Sequence, residues 1–181
     1  AITVDTAHYS RRERDFDNRF IKTWRVGAGG MEYQALYTWD NVKRFKDKHD
    51  VPLILKGIAT AEDAAMCVEL GVDGVYVSNH GGRRLDGMPA TIDVLPEIVR
   101  AVGERAEIYM DGGIRRGTDI LKAIARGARA VLIGRPYAWG LGAGGEGGVR
   151  IVLELLREEF ENTMVSAGCA RLADIDETLL R

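Results

Sequence analysis

The stretch Pro52-Leu53-Ile54-Leu55-Lys56-Gly57-Ile58-Ala59-Thr60, running on through Ala61-Glu62-Asp63 and Leu70-Gly71 to Gly74-Val75-Tyr76-Val77-Ser78, carries the plan of the fold. Its apolar run Pro52–Lys56 predicts a strand buried among neighbours. Thr60 stands where a helix N-cap is wanted, and Asp63 falls in the first turn, where the helix dipole favours a carboxylate. The helical pattern covers Ala61–Leu70, and Gly71 follows it as a left-handed stop. Gly74–Ser78 then predicts a second strand. Strand, glycine turn, helix and strand in this order make a βα unit of a parallel sheet.

The unit recurs 56 positions later. Gly57-Ile58 matches Gly113-Ile114, Asp63 matches Asp119, Gly71 matches Gly127 and Val75 matches Val131. Ala64, Ala65 and Val68 match Ile120, Leu121 and Ile124 on the apolar side of the helix. Two copies in register fit a closed (β/α) barrel or another parallel α/β sheet, and the spacing does not choose between them. Outward from the copies, further strands are expected at Ile2–Asp5, Glu107–Asp111 and Ala130–Gly134. Further helices are expected at Thr38–His49, Ile92–Val102, Thr118–Arg126 and Gly148–Ala167. On the last, Val149, Val152, Leu153, Leu156, Phe160 and Met164 form an apolar stripe predicted to face the core. The glycine-rich Val26–Met31 predicts a flexible loop, extended to 26–37 as an active-site lid.

Five strands in 181 residues fall short of an eight-stranded barrel, which takes about 250. An open half would leave unpaired edges and uncovered apolar faces. The chain is therefore expected to be part of a barrel: a fragment, one piece of a nicked protein, or a half that pairs with a missing N-terminal half or in a homo-oligomer. A strand at the first residues, without an initiator Met, agrees.

Hydrophobic residues make up 46% and charged residues 29%, with net charge -2 and pI near 6.0. No global basic field favours nucleic acid. No apolar run reaches the roughly 20 residues of a membrane span. Cys67 and Cys169 are far apart and match no metal spacing, so a reduced, cytoplasmic setting is expected.

In a barrel, chemistry gathers where strands end. Those ends offer Asp5, Lys56, His80, Asp111 and Gly134-Arg135. Asp111-Gly112-Gly113-Ile114-Arg115-Arg116-Gly117 is a strand end, a glycine turn and a helix start, a place where backbone N–H groups and the helix dipole receive an anion. Ile133-Gly134-Arg135-Pro136 ends the next strand similarly. Together they predict a phosphate site; tight turns with exposed arginines are the plainer alternative. In Ser78-Asn79-His80-Gly81-Gly82-Arg83, His80 is suited to act as a base near neutral pH and Arg83 to clamp a carboxylate. On composition alone a structural loop histidine is equally good.

These segments together resemble the FMN-dependent 2-hydroxy acid dehydrogenase and oxidase family, which includes glycolate oxidase, lactate oxidase and flavocytochrome b2. Thr3-Val4-Asp5-Thr6, Arg11-Arg12-Glu13, Leu55-Lys56-Gly57, Ser78 to Arg83, Asp111-Gly112-Gly113 with Arg115, and Gly134-Arg135-Pro136 run in the family's order. The resemblance implies the C-terminal part, about five βα units, of a (β/α)8 TIM barrel. It implies FMN as cofactor and oxidation of a small 2-hydroxy acid to the 2-oxo acid. His80 is similar to the base, Asp5 to the carboxylate that orients it, and Arg83 and Arg12 to the arginines at the substrate. Lys56 resembles the lysine beside flavin N1 and O2. Thr3 and Ser78 resemble flavin contacts; Asp111, Gly113, Arg115, Gly134 and Arg135 resemble the ribityl and phosphate binders. Oxygen, quinone or cytochrome all remain as electron acceptor. A half-barrel that binds phosphate, FMN or a partner without catalysis is the alternative.

Overall fold

The computed structural model describes residues 1–6, 14, 17–19 and 35–180. Five parallel strands make one sheet in the order of the sequence: β1 (Ile2–Thr3), β2 (Ile54–Ile58), β3 (Gly74–Val77), β4 (Glu107–Met110) and β5 (Ala130–Val131). Helices α1 (Trp39–Lys48), α2 (Ala61–Glu69), α3 (Thr91–Val102) and α4 (Gly117–Ala125) lie between successive strands, and α5 (Arg135–Ser166) follows β5.

Strand order separates the two architectures that the repeat left open. A doubly wound sheet reverses its order at a switch point and so places helices on both faces. Here the order never reverses, and right-handed crossovers then put every helix on one face, as in a barrel wall. Among the described residues β1 pairs only with β2 and β5 only with β4, so the wall is part of a (β/α)8 barrel.

The two faces of the sheet differ in chemistry. Leu55, Val75 and Ile108 are in register and point toward the helices, as do Val77 and Met110. They pack with Val42, Cys67, Leu95, Ile98 and Val102 into the core. Burying each such aliphatic side chain contributes about 1.5–3 kcal/mol. The other face carries Thr3, Lys56, Tyr76 and Tyr109, again in register. A period of two thus sorts packing to one side and polar groups to the other.

The strands are shorter than expected. β1 and β5, expected to reach Asp5 and Gly134, stop at Thr3 and Val131, because each has one neighbour to form a ladder with. β2 starts at Ile54 rather than Pro52 and runs through Gly57, where the register shifts between Lys56 and Ile58. Helices α1 to α4 follow their expected spans to within a residue or so, and Thr60 caps α2 by accepting from Asp63 N. In α3, Pro96 has no N–H to offer Ile92 O; Arg126 Nη1 donates to that carbonyl instead at 3.1 Å.

The largest departure is α5. It begins at Arg135, not Gly148, and breaks at Gly144 and Gly145. Its two arms fold back on each other so closely that a Cβ on Gly140 would lie 2.6 Å from Gly148 O. Gly140 and Gly148 form the contact between the arms. Val149, Val152, Leu156, Phe160 and Met164 are at least partly covered, but Leu153, placed on the core stripe, is 52% exposed. The expected lid over 26–37 lies outside the described residues except for 35–37.

Candidate active site

The site forms at the C-terminal ends of the strands. After β3 the chain enters a tight turn in which His80, Gly81 and Gly82 all have positive φ, 56°, 66° and 73°. For histidine this backbone costs about 1–2 kcal/mol, so the turn must be held by other contacts. Asn79 does so from within: its Nδ2 donates to Pro89 O at 3.1 Å and its Oδ1 accepts from Gly82 N at 3.0 Å. His80 N donates to Ser78 Oγ at 3.2 Å. Arg135 Nη2, reaching across from the start of α5, donates to Gly81 O at 2.7 Å.

His80 Nδ1 is 2.6 Å from Asp5 Oδ2. Asp5 lies just past β1, and Arg84 Nε fixes it by donating to its backbone oxygen at 2.8 Å. The carboxylate selects the tautomer that carries hydrogen on Nδ1 and leaves Nε2 free to take a proton. The pair expected from the sequence is thus brought together across 75 residues of chain.

Beside it opens a cavity of about 450 Å³. It is lined by Lys56 and Tyr76, by His80, Gly81 and Arg83, by Asp111 to Arg115 and by Leu132 to Ala138. Lys56 Nζ donates to Ser78 Oγ at 2.7 Å and lies 3.4 Å from Asp111 Oδ2. Tyr76 Oη donates to that same oxygen at 3.0 Å. Asp111 O accepts from Thr91 Oγ1 at 2.6 Å, and Gly112 leaves no room for a Cβ against that hydroxyl. Burial pushes the Tyr76 hydroxyl well above the usual phenol range, helped by the negative charge of Asp111 and their hydrogen bond.

Eight of the residues expected from the sequence line the cavity: His80, Arg83, Lys56, Asp111, Gly113, Arg115, Gly134 and Arg135. Asp5 touches it through His80. Thr3 is in register with Lys56 on the polar face and is exposed. Ser78 is fully buried, its oxygen shared between Lys56 and His80 N. Arg12 lies outside the described residues.

One expectation changes in detail. The start of α4 is closed to an anion, since Arg115 N and Arg116 N donate to Asp119 Oδ2 at 3.0 and 2.9 Å. Gly117 N donates to Glu159 Oε2 at 2.9 Å. That bond, followed by the bond from Arg116, holds the Glu159 carboxyl below the usual range. Gly113, Gly134 and the side chains of Arg115 and Arg135 line the cavity. Arg115 also lies 6.0 Å over the Trp139 ring.

Tyr76, Arg84, Asn79 and Thr91 were not singled out in the sequence. Tyr76 was legible: it stands two residues before Ser78, on the same face of the chain, and it shares a register row with Lys56. The roles of Arg84, Asn79 and Thr91 depend on loop paths that no periodicity gives.

The model of the FMN-dependent dehydrogenase family matches residues 1–181. Human 2-hydroxyacid oxidase 1 is 51% identical over 205 residues, covering 99% of this chain and 55% of that protein. The L-lactate oxidase of Nostoc sp. is 44% identical over 202 residues, with the same coverage of each chain, 99% and 55%. A crystal structure of mandelate oxidase superposes with a TM-score of 0.86 at 45% identity, covering 97% of this chain and 52% of that one. The chain spans about half the length of the curated relatives it matches. With its sequential parallel wall and its strand-end cavity, the chain belongs to the FMN-dependent dehydrogenase family.

Proposed function

We propose that the cavity holds FMN and that the protein oxidises a small (S)-2-hydroxy acid to the 2-oxo acid, with His80 as the base. The observation that carries this reading is the His80–Asp5 pair at 2.6 Å, set beside a cavity whose charged walls match a flavin nucleotide. The relatives named above supply the substrate class.

The residues fit the cofactor. Asp111 Oδ1 and Asp5 Oδ1 are buried with no hydrogen-bond partner among the described residues. A buried acceptor left alone costs about 1–3 kcal/mol, and a ribityl hydroxyl satisfies Asp111. Arg115, Gly134 and Arg135 suit the phosphate, with Gly113 leaving space for it. Lys56 suits the flavin N1 and O2 end, where a cation favours the reduced, anionic ring. Ser78 supports that end by holding Lys56, and Thr3 stands beside Lys56 on the same row.

When bound, FMN accepts the two electrons of the substrate C2–H bond. The chain's residues do the rest. Arg83, with Arg12, pairs with the substrate carboxylate. His80 Nε2 takes the proton, from the hydroxyl in a hydride route or from C2 in a carbanion route. Asp5 offsets the charge that His80 acquires. The relatives are named oxidases, which supports oxygen as acceptor ahead of quinone or cytochrome. No helix among the described residues is long and apolar enough to cross a membrane. A cytoplasmic setting is proposed on the two free cysteines, although an Arabidopsis relative is named as peroxisomal.

Titrating FMN into the purified protein tests the site. Saturable binding with a shifted visible flavin band is expected, and the absence of binding overturns the reading. Binding without reduction by any 2-hydroxy acid selects the second reading, a half-barrel that holds the cofactor without catalysis. That reading draws on β1 and β5, each of which pairs on one side alone among the described residues.

A further inference from the structure

We propose that Tyr76 is a positioning residue of the flavin site: its hydroxyl holds Asp111 so that one carboxylate oxygen stays free for the ligand and the charge of Lys56 is not spent on the other. The inference rests on the FMN reading above and goes beyond it, because Tyr76 belongs to none of the motifs that suggested the site.

Three groups meet at one point. Tyr76 Oη is 3.0 Å from Asp111 Oδ2, and Lys56 Nζ is 3.4 Å from the same oxygen. The Tyr76 ring lies 5.0 Å beneath Lys56 Nζ, measured to its centroid. The other oxygen, Oδ1, is buried and has no hydrogen-bond partner among the described residues. A lysine and an aspartate this close would ordinarily collapse into direct contact, and their charges would cancel toward any third group. Here the phenol donates to Oδ2 at hydrogen-bond distance, Ser78 accepts from Nζ at 2.7 Å, and the Lys56–Asp111 ion pair rests at 3.4 Å, longer than a direct charge-assisted bond. The ring face offers Nζ a further attractive seat that does not neutralise it. Because burial and Asp111 keep the phenol protonated, it remains a donor at every pH where the enzyme would work.

Tyr76→Phe keeps the ring and removes only the donor. In the FMN-loaded protein it is expected to weaken FMN binding about tenfold, the value of a hydrogen bond to a charged group. It should also lower the flavin midpoint potential, since Lys56 then pairs more closely with Asp111. A residue that merely filled space would leave the potential unmoved. In an Asp111→Asn background the same change should have little further effect on either quantity. Unchanged affinity and potential in Tyr76→Phe overturn the proposal, as do equal effects in both backgrounds. Failure of the unsubstituted protein to bind FMN overturns the underlying reading and this inference with it; normal binding with a silent Tyr76→Phe overturns this inference alone.

Discussion

Gly57 and Gly113 hold the same place in the two copies of the repeat, and they do opposite things. A Cβ on Gly57 would lie 2.6 Å from Asp5 Cβ and 2.9 Å from Asp5 N. A Cβ on Gly113 would meet nothing within 4 Å. The next residue is alike in both: Ile58 and Ile114 are 2% and 5% exposed and belong to the same core. One copy uses its glycine to admit the carboxylate that holds His80; the other uses it to leave a space that a ligand can enter. The repeat is a packing plan, and each copy's chemistry lies in what stands across from its turn.

The comparison can be broken by giving both positions a methyl group. Gly57→Ala combines strain at φ 107° with a clash against backbone and Cβ. It is expected to cost about 3 kcal/mol in urea denaturation and to dislodge Asp5. Gly113→Ala meets only the strain of φ 78° and is expected to cost about 1 kcal/mol, with weaker FMN binding as its main effect. Equal losses at the two positions would remove the distinction drawn between them.

A smaller contrast lies at the far ends of the same units, where Asp73 corresponds to Arg129. Asp73 Oδ2 accepts from Lys46 Nζ at 2.8 Å and from Leu53 N at 2.7 Å. The Lys46 bond first, then the Leu53 N–H, hold its carboxyl below the usual range. Its stabilisation is therefore fully present above the unfolded value near 3.9 and fades as pH falls through the lower folded value. Asp73→Asn should cost about 1 kcal/mol or less at pH 7, given its exposure, and nothing once both forms are protonated. Arg129 pairs with Glu107 at 3.7 Å in solvent, and Arg129→Gln should cost less still at any pH. Denaturation midpoints measured from pH 7 to pH 2 check both; a cost of Asp73→Asn that grows on acidification would contradict the sign.

Much of this was legible in the sequence because the fold repeats one unit. The order of strand and helix patterns placed the βα units, and the 56-residue offset put Gly57 and Gly113 at equivalent strand ends. What escaped was decided by contacts between distant segments. Helix α5 was expected to start only at Gly148 because glycine lowers helix propensity, yet close approach of two helical arms at Gly140 and Gly148 is another condition that demands glycine. The start of α4 looked open because its own sequence is cationic, while Glu159, which occupies it, arrives from α5. Leu153 has apolar character and helical spacing but falls on the outer side of its arm, a distinction of partner rather than of pattern.

The most direct test of the central claim is rapid anaerobic mixing of the FMN-loaded protein with a 2-hydroxy acid such as lactate or glycolate, following the flavin band in the unsubstituted protein and in His80→Ala. Bleaching is expected in the former. In His80→Ala the expected rate is lower by about 10²–10⁴, the range for a general base, with FMN still bound. Bleaching of His80→Ala at the unsubstituted rate would contradict the role of His80 as the base.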